Sequence, residues 1–199
     1  PDNAPDWAHD RAQLWNADEQ AEKRKNSTVA REFEIALPAE LSPAERELLV
    51  HDFTRELVAR HGVAADVAIH APGKEGDNRN HHAHILLTTR RLEPDGFGEK
   101  TRELDDQKTG KVLVTEWRER FATLQNERLR EAGHSVQVDH RSLEAQGIER
   151  EATRHLGPTA TAIERRTGQP SHKRQQHNED ALERLQRARD AGELERQGK

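Results

Sequence analysis

The sequence predicts an α+β fold in which helices pack on one face of a sheet and a polar tail follows. Three observations lead there. Strand-like segments fall at Val29–Leu37, Ala64–His70 and His81–Thr89. A helix with both ends marked, from Ser42-Pro43-Ala44-Glu45 to Gly62, separates the first two. Beyond the strands, Trp117, Phe121, Leu124 and Leu129 recur at helical spacing. The element order is α-β-α-β-β-α-β.

A first helix runs from about Trp7 to Lys25, capped by Asp6 or a near neighbour, with Trp7, Leu14 and Ala21 a helical face apart. Asn26-Ser27 ends it. Val29, Phe33, Ile35 and Leu37 then stand among polar partners until Pro38, which has no N–H to give a ladder. Glu32 and Glu34 share one face of that strand. In the second helix Ser42 caps, Pro43 suits the first turn, and Glu45 completes a capping box. Its apolar residues are Leu48, Leu49, Phe53, Leu57 and Val58. The next two strands are joined by the turn-rich stretch from Ala71 to Asn78. Arg91–Gly110 reads as a polar loop with a short hairpin at Pro94-Asp95-Gly96. Thr115 caps a third helix, Glu116–Ala132, which Gly133 stops. Val136-Gln137-Val138 reads as a short strand. An irregular segment leads to Gly157-Pro158, and Ala160–Thr167 is helical. From Gln169 the chain is polar until a solvated helix at Ala181–Arg189. The expected organisation is a folded domain over residues 1–168 and a polar, helical or disordered linker over 169–199.

Only 32% of residues are hydrophobic while 35% are charged, which is lean for one packed core and places part of the chain in solvated helix or tail. Cysteine is absent, which excludes disulfides, thiolate nucleophiles and cysteine-based zinc sites. No apolar run approaches the roughly 20 residues needed to span a bilayer, and no signal peptide is visible, so a cytoplasmic protein without a membrane partner is expected. The chain opens on Pro1 rather than Met, as a fragment or processed form would. A net charge of −5 argues against a globally basic nucleic-acid binder, which leaves local clusters such as Lys23-Arg24-Lys25, Arg90-Arg91, Arg165-Arg166 and Lys173-Arg174.

The chemistry concentrates in Asn80-His81-His82-Ala83-His84-Ile85-Leu86-Leu87-Thr88-Thr89. Successive strand side chains alternate faces, so His82 and His84 point the same way, about 7 Å apart. With Val67–His70 as an antiparallel neighbour about 5 Å away, His70 completes a cluster of imidazoles on that face. A single histidine on a strand is ordinarily structural. Two in alternation and a third at a strand end fit a metal site with open coordination positions. His81 falls on the opposite face. Imidazoles favour zinc, manganese, iron, cobalt or nickel over magnesium, and spacing does not choose among them. Arg90 and Arg91 end the same strand and are candidates for reaching a ligand bound there.

The run Asp66–Arg91 resembles the three-histidine motif of conjugative relaxases, more narrowly the MobA/MobL type of the HUH endonucleases, named for two histidines separated by a hydrophobic residue. The resemblance extends through Arg31-Glu32-Phe33-Glu34-Ile35-Ala36-Leu37-Pro38, Trp117-Arg118, Leu129-Arg130-Glu131-Ala132-Gly133 and Val138-Asp139-His140-Arg141-Ser142, covering about residues 5–168. It implies a central antiparallel sheet flanked by helices. It also implies strand-specific nicking of single-stranded DNA at a plasmid origin of transfer. A tyrosine hydroxyl attacks the scissile phosphate and stays attached to its 5′ side, assisted by a divalent ion, Mn2+ or Mg2+, with Zn2+ or Ni2+ as alternatives. The metal ligands carried over are His70, His82 and His84. His140 and Arg141 match the family pattern and are candidates for contacting DNA.

Glu32 or Glu34 is a candidate base, outer partner or fourth ligand on the metal-bearing sheet. Asp77 is a candidate to orient a ligand histidine, or an ordinary turn-former. His9, His51, His61, His172 and His177 have no place in the pattern and are expected at the surface. This sequence has no tyrosine, so a truncated relaxase whose nucleophile lies on a missing N-terminal segment is expected, inactive by itself. The alternatives are an inactive DNA-binding module of the same fold, or a metal-dependent phosphodiesterase that activates water. Accessory mobilisation proteins or type IV secretion coupling proteins are the implied partners. With three Trp and four Phe, mostly at apolar positions, DNA binding should lean on Arg and Lys rather than stacking.

Overall fold

Ser42 starts the longest sequence-marked element as expected. Its hydroxyl accepts from the Glu45 N–H at 3.3 Å, and the Glu45 carboxylate accepts from the Ser42 N–H at 2.6 Å. The helix, α2, runs Pro43–His61 and ends where Gly62 turns to φ 66°, a left-handed conformation that glycine adopts at least cost. The Gly62 N–H closes onto Val58 O, and its carbonyl accepts from Leu92 N, so the helix stop also fixes the end of a strand.

The computed structural model describes residues 4–73, 78–148 and 156–197. It divides into two units, Pro1–His140 and Arg141–Lys199. In the first, a one-turn 3₁₀ helix (Asp6–His9) and α1 (Arg11–Gln20) precede β1 (Ala30–Ala36), α2, β2 (Val63–His70), β3 (His82–Glu93), β4 (Gly96–Lys100) and α3 (Gln107–Glu131). The sheet is antiparallel, ordered β1-β3-β2, with β4 pairing the far end of β3. This is the α+β architecture the sequence predicts.

Pleating decides the core. Odd-numbered Phe33, Ile35, Ala83, Ile85, Leu87, Val63, Ala65 and Val67 face α2 and α3, packing with Leu49, Val50, Phe53, Leu57, Trp117, Phe121, Leu124 and Leu129. Phe53 is the hub, its ring 5.7 Å from Trp117 and 4.8 Å from Phe121. Its full burial contributes about 1.5–3 kcal/mol. Leu48, expected on the apolar side, faces solvent. A smaller cluster of Leu14, Ala64 and Leu92 holds α1 over part of the opposite sheet face. There, too, the backbone irregularity between Val63 and Ala65 is closed by Thr88, whose hydroxyl accepts from Ala64 N at 3.0 Å.

Several expectations need correction. The first helix is split, because Asp10 caps α1 by accepting from Gln13 N. The polar loop expected over Arg91–Gly110 contains the end of β3 and all of β4, and from Gln107 it is helix. Asp106 accepts from Lys108 N and Thr109 N, so α3 begins at Gln107. That early start is anchored from β1. Arg31 forms a fork to Asp105 at 2.8 and 2.7 Å, and this guanidinium holds the Asp105 carboxyl below the usual range. Val136–Val138 forms no strand; the Asn126 side chain bonds both the N–H and the carbonyl of Val138. The Pro94-Asp95-Gly96 turn does form a hairpin, between β3 and β4.

His61, expected at the surface, is buried under α3. The Trp117 indole N–H donates to His61 Nε2 at 3.1 Å, which leaves the proton on Nδ1 to be donated to Glu103 at 3.1 Å. At the end of α1, Asp18 is wholly buried. Burial first, and Glu22 second, raise its pKa to about 6 against the pull of Arg90 and Lys100. For Glu22, burial acts upward, but hydrogen bonds from Lys100, Ser27 and Arg90 outweigh it and hold the pKa at about 2.

In the second unit, α4 (Pro158–Thr167) and α5 (His172–Gln197) are joined through Glu164. Its carboxylate accepts from Ser171 N, Ser171 Oγ and a bidentate Arg174. Arg174 foremost holds the Glu164 pKa at about 2. The polar tail helix therefore starts earlier than Ala181, at His172.

Burial depresses the His61 pKa against the opposing pull of Glu103. Below pH 6.5 the unfolded chain takes up a proton that the folded chain refuses. The His61 contribution is therefore full above pH 6.5 and lost as pH falls towards the depressed folded value. His61→Gln should cost about 2–3 kcal/mol at pH 7.5 and clearly less at pH 5.5, measured by urea unfolding. An equal cost at both pH values would contradict the buried neutral imidazole.

Candidate metal centre

Even-numbered residues make up the other face of the sheet. In the register, His82 lies opposite Ala36 on β1 and His70 on β2, and His84 lies opposite Glu34 and Ala68. Central β3 thus brings both of its histidines beside the last residue of β2, as the alternation predicted. Ring centroids are 5.1 Å apart for His70–His82, 4.8 Å for His70–His84 and 5.3 Å for His82–His84. Ala36 and Ala68, with single methyl side chains, are the strand neighbours of His82 and His84.

One nitrogen of each ring comes within 4.8 Å of the other two. Metal–nitrogen bonds of 2.0–2.1 Å bring ligand atoms to roughly 3–3.5 Å, so shifts of about an ångström per ring would close the set around an ion. Hydrogen bonds already assign the nitrogens. His82 Nδ1 is 3.0 Å from the Asn80 carbonyl, which can only accept, so Nδ1 carries the proton. His84 Nδ1 is 2.6 Å from Glu32 Oε1, a carboxylate that accepts in the same way. In both rings Nε2 keeps its lone pair free for a cation. The carboxylate–histidine pair is an arrangement that orients a ligand ring and raises its basicity.

Glu32 and Glu34 both lie on the histidine face, but their positions differ. Glu32, opposite Leu86, reaches diagonally to His84, while Glu34 stands directly across from it. His81 uses its carbonyl to accept from Leu37 N and takes no part in the cluster. Further along the face, Asp66 accepts from Arg11 Nε at 2.5 Å and Trp15 Nε1 at 3.0 Å, tying α1 across β2. Asp77 lies outside the described residues.

Arg90 and Arg91 are not brought to the histidines. β3 continues to Glu93, so Arg90 stands roughly 20 Å along the strand from His84. There its guanidinium bonds Glu22 and the Gly98 carbonyl, and Arg91 bonds Glu103 at 3.4 Å. His140 borders a groove beside β1 that Glu32 and Glu34 also line, and its carbonyl accepts from Arg118. Arg141 belongs to the second unit, where its carbonyl accepts from Gln146. No helix among the described residues is long and apolar enough to cross a membrane.

Residues 1–166 match the MobA/MobL family. A mobilization protein MobL of Acidithiobacillus ferridurans is 42% identical over 216 residues, covering 96% of this chain and 57% of that protein. Mobilization protein A of Escherichia coli is 34% identical, over 81% of this chain and 24% of that protein. Conjugal transfer protein TraA of Agrobacterium fabrum is 36% identical, over 78% of this chain and 15% of that protein. The chain therefore spans little more than half the length of the first of these relatives and less of the others. A solved structure titled "Molecular Basis of Vancomycin Resistance Transfer in Staphylococcus aureus" superimposes with a TM-score of 0.60 at 35% identity, covering 71% of this chain and 72% of that one.

If Glu32 orients His84, Glu32→Ala should weaken Mn2+ affinity by about 10–100-fold in calorimetry, while Glu34→Ala changes it less than about threefold. The reverse order would make Glu34, not Glu32, the supporting carboxylate.

Proposed function

The chain belongs to the MobA/MobL family, and on that premise we propose that it is the metal-binding core of a DNA relaxase acting in plasmid mobilisation. The observation that carries this reading is the His70–His82–His84 cluster, open on one side and with the protons of His82 and His84 already committed to Nδ1. In this reading His70, His82 and His84 would hold a divalent ion, the last two through the Nε2 atoms that their hydrogen bonds leave free. A set of imidazoles alone favours Mn2+ over Mg2+, with Zn2+ and Ni2+ as tighter-binding competitors in solution. When bound, the ion withdraws charge from the non-bridging oxygens of a phosphodiester.

The protein's own groups do the rest. Glu32 holds His84 in one tautomer and one orientation, and the Asn80 carbonyl does the same for His82. Glu34, directly across from His84, is the candidate to accept a proton. These residues include no tyrosine, and in this reading the attacking tyrosine hydroxyl belongs to a segment outside them. Its oxygen bonds to phosphorus, the bond to the 3′ oxygen breaks, and the strand is left with a free 3′ hydroxyl and a 5′ phosphotyrosyl link. Single-stranded DNA at an origin of transfer is the proposed substrate. His140 and Arg141 are its proposed backbone contacts, in a cytoplasmic protein that works with accessory mobilisation or coupling proteins.

The test is nicking of a labelled single-stranded origin oligonucleotide by the full-length protein. Cleavage and a covalent 5′ adduct should be lost on chelation, return with Mn2+, and fall by at least about 100-fold in His82→Ala/His84→Ala. Undiminished cleavage by that variant in the presence of chelator would refute the reading.

A further inference from the structure

We propose that Trp15 is the platform on which a base of the single strand stacks beside the histidines, with Arg11 on a neighbouring phosphate. The inference rests on the relaxase reading above and adds to it a residue that positions the substrate. Even-numbered residues form rows across the metal face of the sheet. His70, His82 and Ala36 make one row, Ala68, His84 and Glu34 the next, and Asp66, Leu86 and Glu32 the third. Rows are about 7 Å apart, so Leu86 stands one step from the cluster. Ala68 is exposed and Leu86 half-buried, which makes a low apolar floor. Beyond it comes α1, seated on Ala64 and Leu92 through Leu14.

Arg11 and Trp15 lie one turn apart on α1, and both reach Asp66 in the third row, Arg11 through Nε and Trp15 through its indole N–H at 3.0 Å. The side of the helix that carries them therefore borders the floor. Of the three tryptophans, Trp117 is buried in the core and Trp7 packs edge-on to Phe97, 6.0 Å between ring centres. Trp15 enters neither apolar cluster and meets no other ring among the described residues, yet it is half-buried and pinned at its N–H. A large ring fixed at its polar edge and left unpacked by the core has a π-face to offer, and every base has one to match.

Charge points the same way. Asp66 accepts from both side chains, so its own charge is already matched. Arg11 is 75% exposed, and its two Nη groups have no protein partner among the described residues. Glu32 and Glu34 stand on the other flank, on β1, with the β3 histidines between. A strand whose phosphate lies at the histidines therefore meets a guanidinium on its way towards α1 and carboxylates on its way towards β1. Most aromatics of this chain are spent on the core, as their apolar positions in the sequence imply, and Trp15 is the exception on the ligand face. Stacking tolerates any sequence, so Trp15 positions the strand and does not read it.

The experiment is binding of the labelled single-stranded origin oligonucleotide to the full-length protein in chelator, with an abasic position walked along the strand. Chelator keeps any fault in the metal site out of the readout. Trp15→Leu should bind about 5- to 100-fold more weakly, while Trp15→Phe, which stacks but cannot bond Asp66, should stay within about threefold of the wild type. One abasic position beside the cleavage site should weaken the wild type as much as Trp15→Leu does, and should cost that variant nothing further. Equal losses in the Leu and Phe variants would make Trp15 a structural pin and overturn the proposal. So would unchanged affinity in Trp15→Leu, or abasic costs that add to it at every position. A wild type that binds no single strand would sink the relaxase reading and this inference together, whereas intact nicking beside an unchanged Trp15→Leu affinity removes only the stacking.

Discussion

Everything in the first unit depends on the pleat of β3. That central strand gives Ala83, Ile85 and Leu87 to the core and His82 and His84 to the opposite face, residue by residue. The apolar set fixes the register, because a slip of one position would drive two imidazoles under Phe53 and expose Ile85 to water. The histidines are thus held in place by the packing of their neighbours and need no metal to be brought together. Preorganisation of this kind lowers the ordering cost of binding an ion.

The groups that steady the cluster belong to other elements. β1 contributes Glu32 to the cluster and, one residue earlier and on the other face, Arg31 to the start of α3. A single strand thereby couples the orientation of His84 to the docking of the helix that carries Trp117. α2 closes the same core from its other end, where His61 accepts from the Trp117 indole and donates to Glu103, which also meets Arg91 on β3. The metal face, the core and the helix starts are tied into one framework.

Local rules made part of this legible in the sequence. The Ser42–Glu45 box, the Gly62 stop and the two-residue spacing of the histidines each depend on neighbours in the chain, and each is found where expected. What escaped depends on contacts distant in sequence. Nothing near His61 signals that Trp117 will cover it. Gln107–Gly110 reads as loop because its helix is anchored by Arg31, 74 residues before Asp105. Alternation at Val136–Val138 is real, but Asn126 takes the hydrogen bonds that a strand partner would. Glu32 and Glu34 are equivalent by parity, and only the diagonal reach across the β1–β3 register separates them. Arg90 looked close to the histidines because the sequence did not reveal how far β3 runs, nor that Glu22 would hold the guanidinium.

The central claim is that His70, His82 and His84 form one cation site. Calorimetric titration of the purified protein with Mn2+, beside His82→Ala/His84→Ala, tests it most directly. The account predicts one ion per wild-type molecule and no measurable binding to the variant. Equal binding by both proteins, or none by the wild type, would contradict it.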